Sequence, residues 1–255
     1  MAVRLPVRLG VAGAQGAMGQ CVATLARERK DVRLIATFDR EDPAARDHAL
    51  DACEVIVDFS TAAATAELVA RAAAARTSAL VIGTTGLSRE QEAAVQTAAL
   101  NVAIVKSGNF SLGVNILAGL VEQAARRLGP EVWDIEIFEA HHRRKRDAPS
   151  GTARLLGEAA ARGRDAELSD ILAPARGATG EARRQGDIGF CVMRGGGVVG
   201  EHAVVFAAEE EILTLSHSAR DRRLFARGAL EAALWVAGRP AGLYDMADVL
   251  GFRAP

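Results

Sequence analysis

Short runs of β-branched and aliphatic residues recur through the first hundred positions. Each is followed by a helix-forming stretch, and this alternation constrains the fold more than any other feature of the chain. The runs Val7–Ala12, Val32–Phe38, Val55–Val57, Leu80–Ile82 and Val102–Val105 read as buried strands. Between them lie helix signals. Ser60 or Thr61 can cap the alanine-rich stretch that follows, and Ser88 with Gln91 forms a capping box. Strand and helix in strict alternation predict a parallel sheet covered on both faces.

The pattern changes beyond position 112. Val114–Leu128 reads as one long helix ending at Gly129-Pro130. Val132–Phe138 alternates in part, as a half-exposed strand does. Three further strand-like runs, Ile188–Met193, Val198–Phe206 and Glu211–Ser216, are separated by Gly195-Gly196-Gly197 and Glu209-Glu210. Strands joined by short turns predict an antiparallel or mixed sheet in a second, α+β unit. A last helix is expected over Arg222–Val236. A boundary between two units is therefore expected near residue 112.

Composition narrows the class. The 255 residues are 49% apolar and 25% charged, which excludes a disordered chain. The 31 Lys and Arg against 32 Asp and Glu argue against a dedicated nucleic-acid or membrane-surface binder. Cys21, Cys53 and Cys191 are far apart and odd in number, so they are read as ordinary thiols in a reducing compartment. No apolar stretch precedes a cleavage site at the start. The uncharged run Ser107–Val121 is too short and too polar to span a bilayer. A cytoplasmic protein is expected.

Two segments carry chemistry. In the first, Gly10, Gly13, Gly16 and Gly19 follow a strand and open a helix. Glycines there permit a tight turn and close approach to a pyrophosphate, and the helix start offers N–H donors. Asp39 ends the second strand 20 residues after Gly19, placed to accept from a ribose 2′-hydroxyl, and Arg40 beside it could hold a 2′-phosphate. The spacing is not the standard Gly-x-Gly-x-x-Gly, and a plain glycine-rich turn is the competing reading. Gly83-Thr84-Thr85-Gly86 and Ser107-Gly108-Asn109-Phe110 also follow strands, where open α/β sheets bind ligands.

The second segment runs from Glu139 to Thr152 and holds His141, His142, then Arg143, Arg144, Lys145 and Arg146, and finally Ser150, Gly151 and Thr152. It begins at a strand end and finishes at a helix start. Cations with an amide-rich turn suit a small dianion such as a dicarboxylate. A solvated charge run and a nucleic-acid patch are the alternatives; no aromatic residues interleave to support the latter. Metal ligation is not expected, because no carboxylate or cysteine stands at suitable spacing from the histidines. His202 reads as a satisfied structural histidine, and Arg220 as either a carbonyl cap or an anion contact.

The segment Glu139-Ala-His141-His142-x-x-Lys145-x-Asp147-Ala-Pro-Ser150-Gly-Thr-Ala153 closely resembles the signature of the bacterial 4-hydroxy-tetrahydrodipicolinate reductase (dihydrodipicolinate reductase) family. Asp58-Phe-Ser60, Gly83–Gly86, Asn109–Asn115, Arg194–His202 and Gly242–Met246 agree in order, so the resemblance covers essentially the whole chain. It implies a Rossmann-like domain over 1–112 and 222–255, to which the last helix returns, binding NADH or NADPH, and a second domain over 113–221 that binds a cyclic dicarboxylate and builds a homotetramer. Carried onto matching positions, it makes His141 the acid/base residue and Lys145 the proton donor. His142, Ser150, Gly151, Thr152 and Arg220 contact the substrate. Gly13, Ala14, Gln15, Gly16, Ala17, Met18, Asp39, Arg40, Gly83, Thr84, Thr85, Ser107, Gly108, Asn109 and Phe110 line the cofactor. Ala17 stands where many members carry an arginine, which removes one anchor for a 2′-phosphate. Asp39 with Arg40 then fits use of both cofactors. The stretch after Arg40 is also short against the family pattern, so that edge of the Rossmann-like half is expected to be trimmed. Another two-domain nicotinamide enzyme, such as an amino-acid dehydrogenase, and a non-enzymatic dinucleotide sensor are the alternatives; neither needs the histidine–lysine constellation.

Overall fold

The structure is a computed structural model that describes residues 5–75, 78–173 and 182–253; the outermost ends of the expected first domain lie outside the described residues. The chain begins with β1 (Val7–Ala12), α1 (Ala17–Glu28), β2 (Val32–Phe38), α2 (Pro43–Ala52), β3 (Val55–Asp58), α3 (Ala62–Ala75), β4 (Ala79–Ile82), α4 (Arg89–Ala98) and β5 (Ala103–Lys106). It continues through α5 (Leu112–Arg127), β6 (Asp134–His141), α6 (Gly151–Gly163), β7 (Ile188–Arg194), β8 (Gly200–Ala207) and β9 (Ile212–Ala219). It closes with α7 (Arg223–Val236), β10 (Gly242–Tyr244) and α8 (Met246–Val249). Two compact units result: Met1–Leu112 with Arg223–Pro255, and Gly113–Arg222.

The first unit is built on a six-stranded sheet of order β10-β5-β4-β3-β1-β2, with every pairing parallel. Strand alternation explains why both faces are covered. Val55 and Val57 face one core with α1 and α7, whereas Ile56 between them faces another with α2, α3 and α4. Val81 and Val105 join the first core; Leu80, Ile82 and Ile104 join the second. The chain leaves β1 for β2 on one side and returns to β3 on the other. That reversal is a topological switch point, the place where open α/β sheets bind ligands.

Two expectations about this unit change. The sheet edge beyond Arg40 is not trimmed. Asp42 accepts from the Ala45 N–H, Pro43 sits at the first helical position, and α2 forms in full. A sixth strand, β10, was hidden because its three residues carry almost no periodic signal.

The second unit has a four-stranded sheet of order β7-β6-β8-β9. β6 pairs parallel to β7 but antiparallel to β8, and β8 pairs antiparallel to β9, so the sheet is mixed. Helices α5 and α6 cover one face, burying Ile135, Ile137, Ile188, Val204 and Phe206. The other face carries Phe138, Met193 and Ile212, exposed by 40%, 44% and 67%. Among the described residues no helix is long and apolar enough to cross a membrane.

Candidate active site

In the first unit the expected cofactor residues gather at the carboxyl ends of the parallel strands. Gly13 to Gly16 form the turn between β1 and α1, with Gln15, Gly16 and Ala17 exposed. Gly13 has φ +73°, and a Cβ on it would meet the Phe59 carbonyl oxygen at 2.5 Å. A Cβ on Gly19 would overlap the Gly13 carbonyl, so only glycine lets α1 start this close to the strand. No side chain caps α1, and its first turn holds no acidic residue, which leaves its amino-terminal dipole end uncompensated. The Asp39 carboxylate accepts from the Gln15 N–H at 3.0 Å and so ties the end of β2 to the turn. Arg40 is exposed and pairs with Glu41 at 3.3 Å.

Gly83, Thr84 and Thr85 follow β4, and Ser107 to Phe110 follow β5. The Ser107 hydroxyl accepts from the Asn109 N–H, and Asn109 Oδ1 accepts from the Ser111 N–H, fixing the second loop. Helix α7 approaches so closely at Gly228 that any side chain there would overlap the Phe110 carbonyl.

Asp58-Phe59-Ser60, for which the sequence suggests no more than a helix cap at Ser60 or Thr61, stands at the centre of this edge; the cap is Thr61, whose hydroxyl accepts from the Ala64 N–H at 3.3 Å. Asp58 is fully buried; it accepts from the Thr65 hydroxyl at 2.5 Å and from the Ser60 N–H at 2.9 Å. Ser60 N–H also reaches Thr84 Oγ1 at 3.0 Å, and Phe59 packs against Gly83 and edge-on to Phe110. The Ser60 hydroxyl is buried without a partner among the described residues. An orphaned hydroxyl beside a glycine cradle and an uncapped helix start fits a dinucleotide.

Burial raises the Asp58 carboxyl above the ordinary aspartate range, and the hydrogen bonds from Ser60 and Thr65 only partly oppose it. The folded state then holds this proton more tightly than the unfolded chain. Its contribution is greatest below pH ~4 and is lost as pH rises through the folded value. Asp58→Asn removes that dependence. In urea melts across a pH series, the stability of the native protein minus that of Asp58→Asn should fall above pH ~4. A flat difference would show that Asp58 titrates normally.

In the second unit the mixed sheet brings one end of all four strands together. His141 closes β6 opposite Arg194 at the end of β7; Gly200 opens β8 opposite Ala219 at the end of β9. Glu139 faces His202 across β6 and β8, and His202 faces His217 across β8 and β9. A row of ionisable side chains therefore crosses the sheet on its helix-covered face.

Glu139 is fully buried. His141 Nδ1 lies 2.6 Å from its Oε2, Arg194 grips both its oxygens at 2.7 and 2.8 Å, and the Ser150 N–H donates to Oε1 at 2.9 Å. Burial alone would raise this carboxyl, but the bonds from Arg194, His141 and Ser150 hold it below the ordinary range. His141 is pushed down, first by burial and further by Lys145 and Arg194, against the pull of Glu139. Burial and the neighbouring His141 push His202 down to about 4. Burial also lowers His217. These shifts favour the uncharged imidazoles at neutral pH.

Several expectations are revised by this arrangement. His202 is not a satisfied structural residue: its Nε2 meets Ser150 Oγ at 3.2 Å, its ring packs edge-on to His141 at 5.1 Å, and its Nδ1 has no partner among the described residues. A carboxylate does accompany the histidines. Glu139 and His141 are two apart, which in a strand puts them on one face. Ligand atoms of Glu139, His141 and His202 lie within 4.8 Å of one another, yet Arg194 occupies both carboxylate oxygens, so a metal there would have to displace a guanidinium. Ser150 sits beneath the surface rather than on it. Its hydroxyl caps α6 at Ala153 and its amide is held by Glu139, which leaves exposed Gly151 and half-buried Thr152 as the start of the helix.

The basic run divides. Arg143, Arg144 and Arg146 are exposed, as a solvated charge run would be, whereas Lys145 is half-buried and pairs with Asp147 at 2.9 Å. His142 is half-buried, with Nδ1 unpartnered among the described residues. Arg220 is exposed and follows directly on Ala219, at the same end of the sheet as His141.

A doubly covered parallel sheet with a glycine turn at its switch point, joined to a separate α+β unit with a buried imidazole–carboxylate pair, defines a two-unit oxidoreductase of Rossmann-like type. Family models described as dihydrodipicolinate reductase, N-terminus and C-terminus, match residues 7–110 and 113–250. Proteins named 4-hydroxy-tetrahydrodipicolinate reductase are similar along nearly their full length. That of Caulobacter vibrioides is 54% identical, covering 97% of this chain and 98% of its own; that of Rhizobium meliloti is 48% identical, covering 96% and 97%. The chain belongs to the dihydrodipicolinate reductase family. Among solved structures, a dipicolinate-bound dihydrodipicolinate reductase from Paenisporosarcina sp. TG-14 shares the fold, with a TM-score of 0.78 at 23% identity over 94% of this chain and 97% of its own. A DAP dehydrogenase of C. glutamicum in complex with DAP matches less well, at TM-score 0.54 and 13% identity over 94% of this chain and 93% of its own. The fold is thus shared with a dehydrogenase, and the family match decides between the two.

Proposed function

We propose that this chain reduces 4-hydroxy-tetrahydrodipicolinate to tetrahydrodipicolinate, with NADH or NADPH as reductant, in the diaminopimelate–lysine pathway. The observation that carries the reading is the cluster of His141 and Glu139, with Lys145 beside it, inside the motif most specific to the family, and Arg194 reaching it from β7. In this reading the first unit binds the dinucleotide. Gly13, Ala14, Gln15, Gly16, Ala17 and Met18 hold the pyrophosphate, and Asp39 and Arg40 hold the adenosine ribose. Gly83, Thr84, Thr85, Ser107, Gly108, Asn109 and Phe110 line the nicotinamide side.

The second unit, residues 113–221, binds the substrate. The amides of Gly151 and Thr152, with His142 and Arg220, hold the two ring carboxylates. When bound, the reduced nicotinamide supplies hydride to an electron-poor ring carbon. Lys145 holds the proton that meets the negative charge building on the ring, and His141 Nε2 is the acid/base partner. Water is the second product when the hydroxylated ring is the substrate. The test is oxidation of NADH and of NADPH, followed by absorbance, with freshly formed cyclic imine and with amino acids as the contrast. Turnover of amino acids alone would overturn the reading, and so would cofactor binding without turnover.

Use of both cofactors rests on Asp39 beside Arg40. Arg40→Ala should raise KM for NADPH about tenfold, the loss of one exposed charge-assisted hydrogen bond, and leave KM for NADH almost unchanged. Equal change for both would remove Arg40 from 2′-phosphate recognition. The apolar face of the second sheet supports a homotetramer built sheet against sheet, which sedimentation velocity would test. Three cysteines without disulfides favour a cytoplasmic setting.

A further inference from the structure

We infer that Glu139 and Arg194 are positioning residues for His141: Glu139 fixes the orientation and tautomer of the imidazole, and Arg194 balances the carboxylate so that the ring is not held as a cation. This rests on the proposed reading of His141 as the acid/base group.

The geometry carries the argument. Glu139 Oε2 is 2.6 Å from His141 Nδ1, which therefore bears the proton, leaving the lone pair on Nε2. No described residue hydrogen-bonds Nε2. A Cβ on Gly200 would lie only 3.2 Å from it, so the glycine keeps that side of the ring clear. A buried carboxylate alone beside an imidazole favours the imidazolium. Here the guanidinium of Arg194 lies on the other side of the same carboxylate, at 2.7 and 2.8 Å, and cancels its charge. The groups facing His141 are Glu139 on its own strand, Arg194 on β7, His202 on β8 and Lys145 on the following loop. His202 is uncharged at neutral pH, so Glu139, Arg194 and Lys145, the last paired with Asp147, set the local field.

Arg194 has a second task. Its Nη2 donates to the Asp147 carbonyl at 2.6 Å, and Asp147 in turn pairs with Lys145. One guanidinium thus ties the imidazole's carboxylate to the loop that carries the lysine. A purely structural ion pair would stabilise the sheet end without setting the charge state of His141.

The test is titration of the free protein by NMR of 13Cε1-labelled histidine, with His141 assigned by its loss in His141→Gln. Arg194→Met should move the His141 midpoint up by about one pH unit or more, and Glu139→Gln should move it down. Arg194→Lys keeps the charge and should leave the midpoint near its native value. The limb of the pH profile of kcat/KM that reports His141 should move with it. Unchanged titration in folded Arg194→Met would overturn the inference, as would an equal upward shift in Arg194→Lys. If Arg194→Met does not fold, Arg194→Gln is compared with Arg194→Lys on the same readout. Failure of the native protein to turn over the cyclic imine would overturn the functional reading instead, and the titration needs no substrate.

Discussion

Lys145→Ala is expected to lower kcat by about two to four orders of magnitude, the usual contribution of a positioned general acid, while the Kd for NADH stays essentially unchanged. The lysine is singled out from its neighbours by burial. Its side chain is 23% exposed and its ammonium is held by Asp147 at 2.9 Å, whereas Arg143, Arg144 and Arg146 are exposed. The residues proposed to hold the dinucleotide all belong to the first unit, so the substitution changes none of them. Lys145→Arg separates two roles. Arginine keeps the positive charge but does not release its proton at working pH. If lysine only attracted a dianion, arginine would restore most of the rate. If it delivers a proton, Lys145→Arg stays slow with a modest change in substrate KM. Near-normal kcat in the alanine variant would remove Lys145 from the chemistry.

Gly13→Val is expected to weaken NADH binding by about a hundredfold and to lower Tm by roughly 5 °C. Two costs combine. A side chain at φ +73° costs about 1–2 kcal/mol in the left-handed region. The new Cβ would also stand 2.5 Å from the Phe59 carbonyl oxygen and 2.8 Å from Ser60 Cα, and backbone there cannot swing aside as a side chain can. The turn must move away from the end of β3, taking the start of α1 with it. Gly238→Ala is the control, because it shares a positive φ of 78° but meets nothing within 4 Å. It should show the conformational cost without loss of binding. Fluorescence titration and thermal melts on the three proteins check this, and equal NADH affinity in all would mean that the turn does not hold the cofactor.

The doubly covered sheet was legible because its signal is local. Val55-Ile56-Val57 and Leu80-Val81-Ile82 are apolar at every position, short and rich in β-branched residues, and the flanking turn residues mark them as strands buried on both faces. The capping box at Ser88 and Gln91 formed as read, for the same reason: both partners lie within one helical turn. The missed elements had weak or masked signals. Helix α2 has the alternating charges of a surface helix, and β10 is too short for any period to show. The specific motif from Glu139 to Ala153 was enough to indicate the family, since so many chemically unusual residues rarely fall at one spacing by chance.

The sequence by itself determined the two-unit plan, the glycine turn, and the segment that carries His141 and Lys145, because each is written in neighbouring residues. It could not assign Glu139, Arg194 and His202 to one cluster. They lie on three strands, and they meet only because β6 pairs with β7 in parallel and with β8 in antiparallel register. A slip of one residue in either pairing would turn these side chains to the opposite face. Tertiary structure also decided which members of the basic run are ordinary surface charges, since burial and the Asp147 contact are properties of the folded loop.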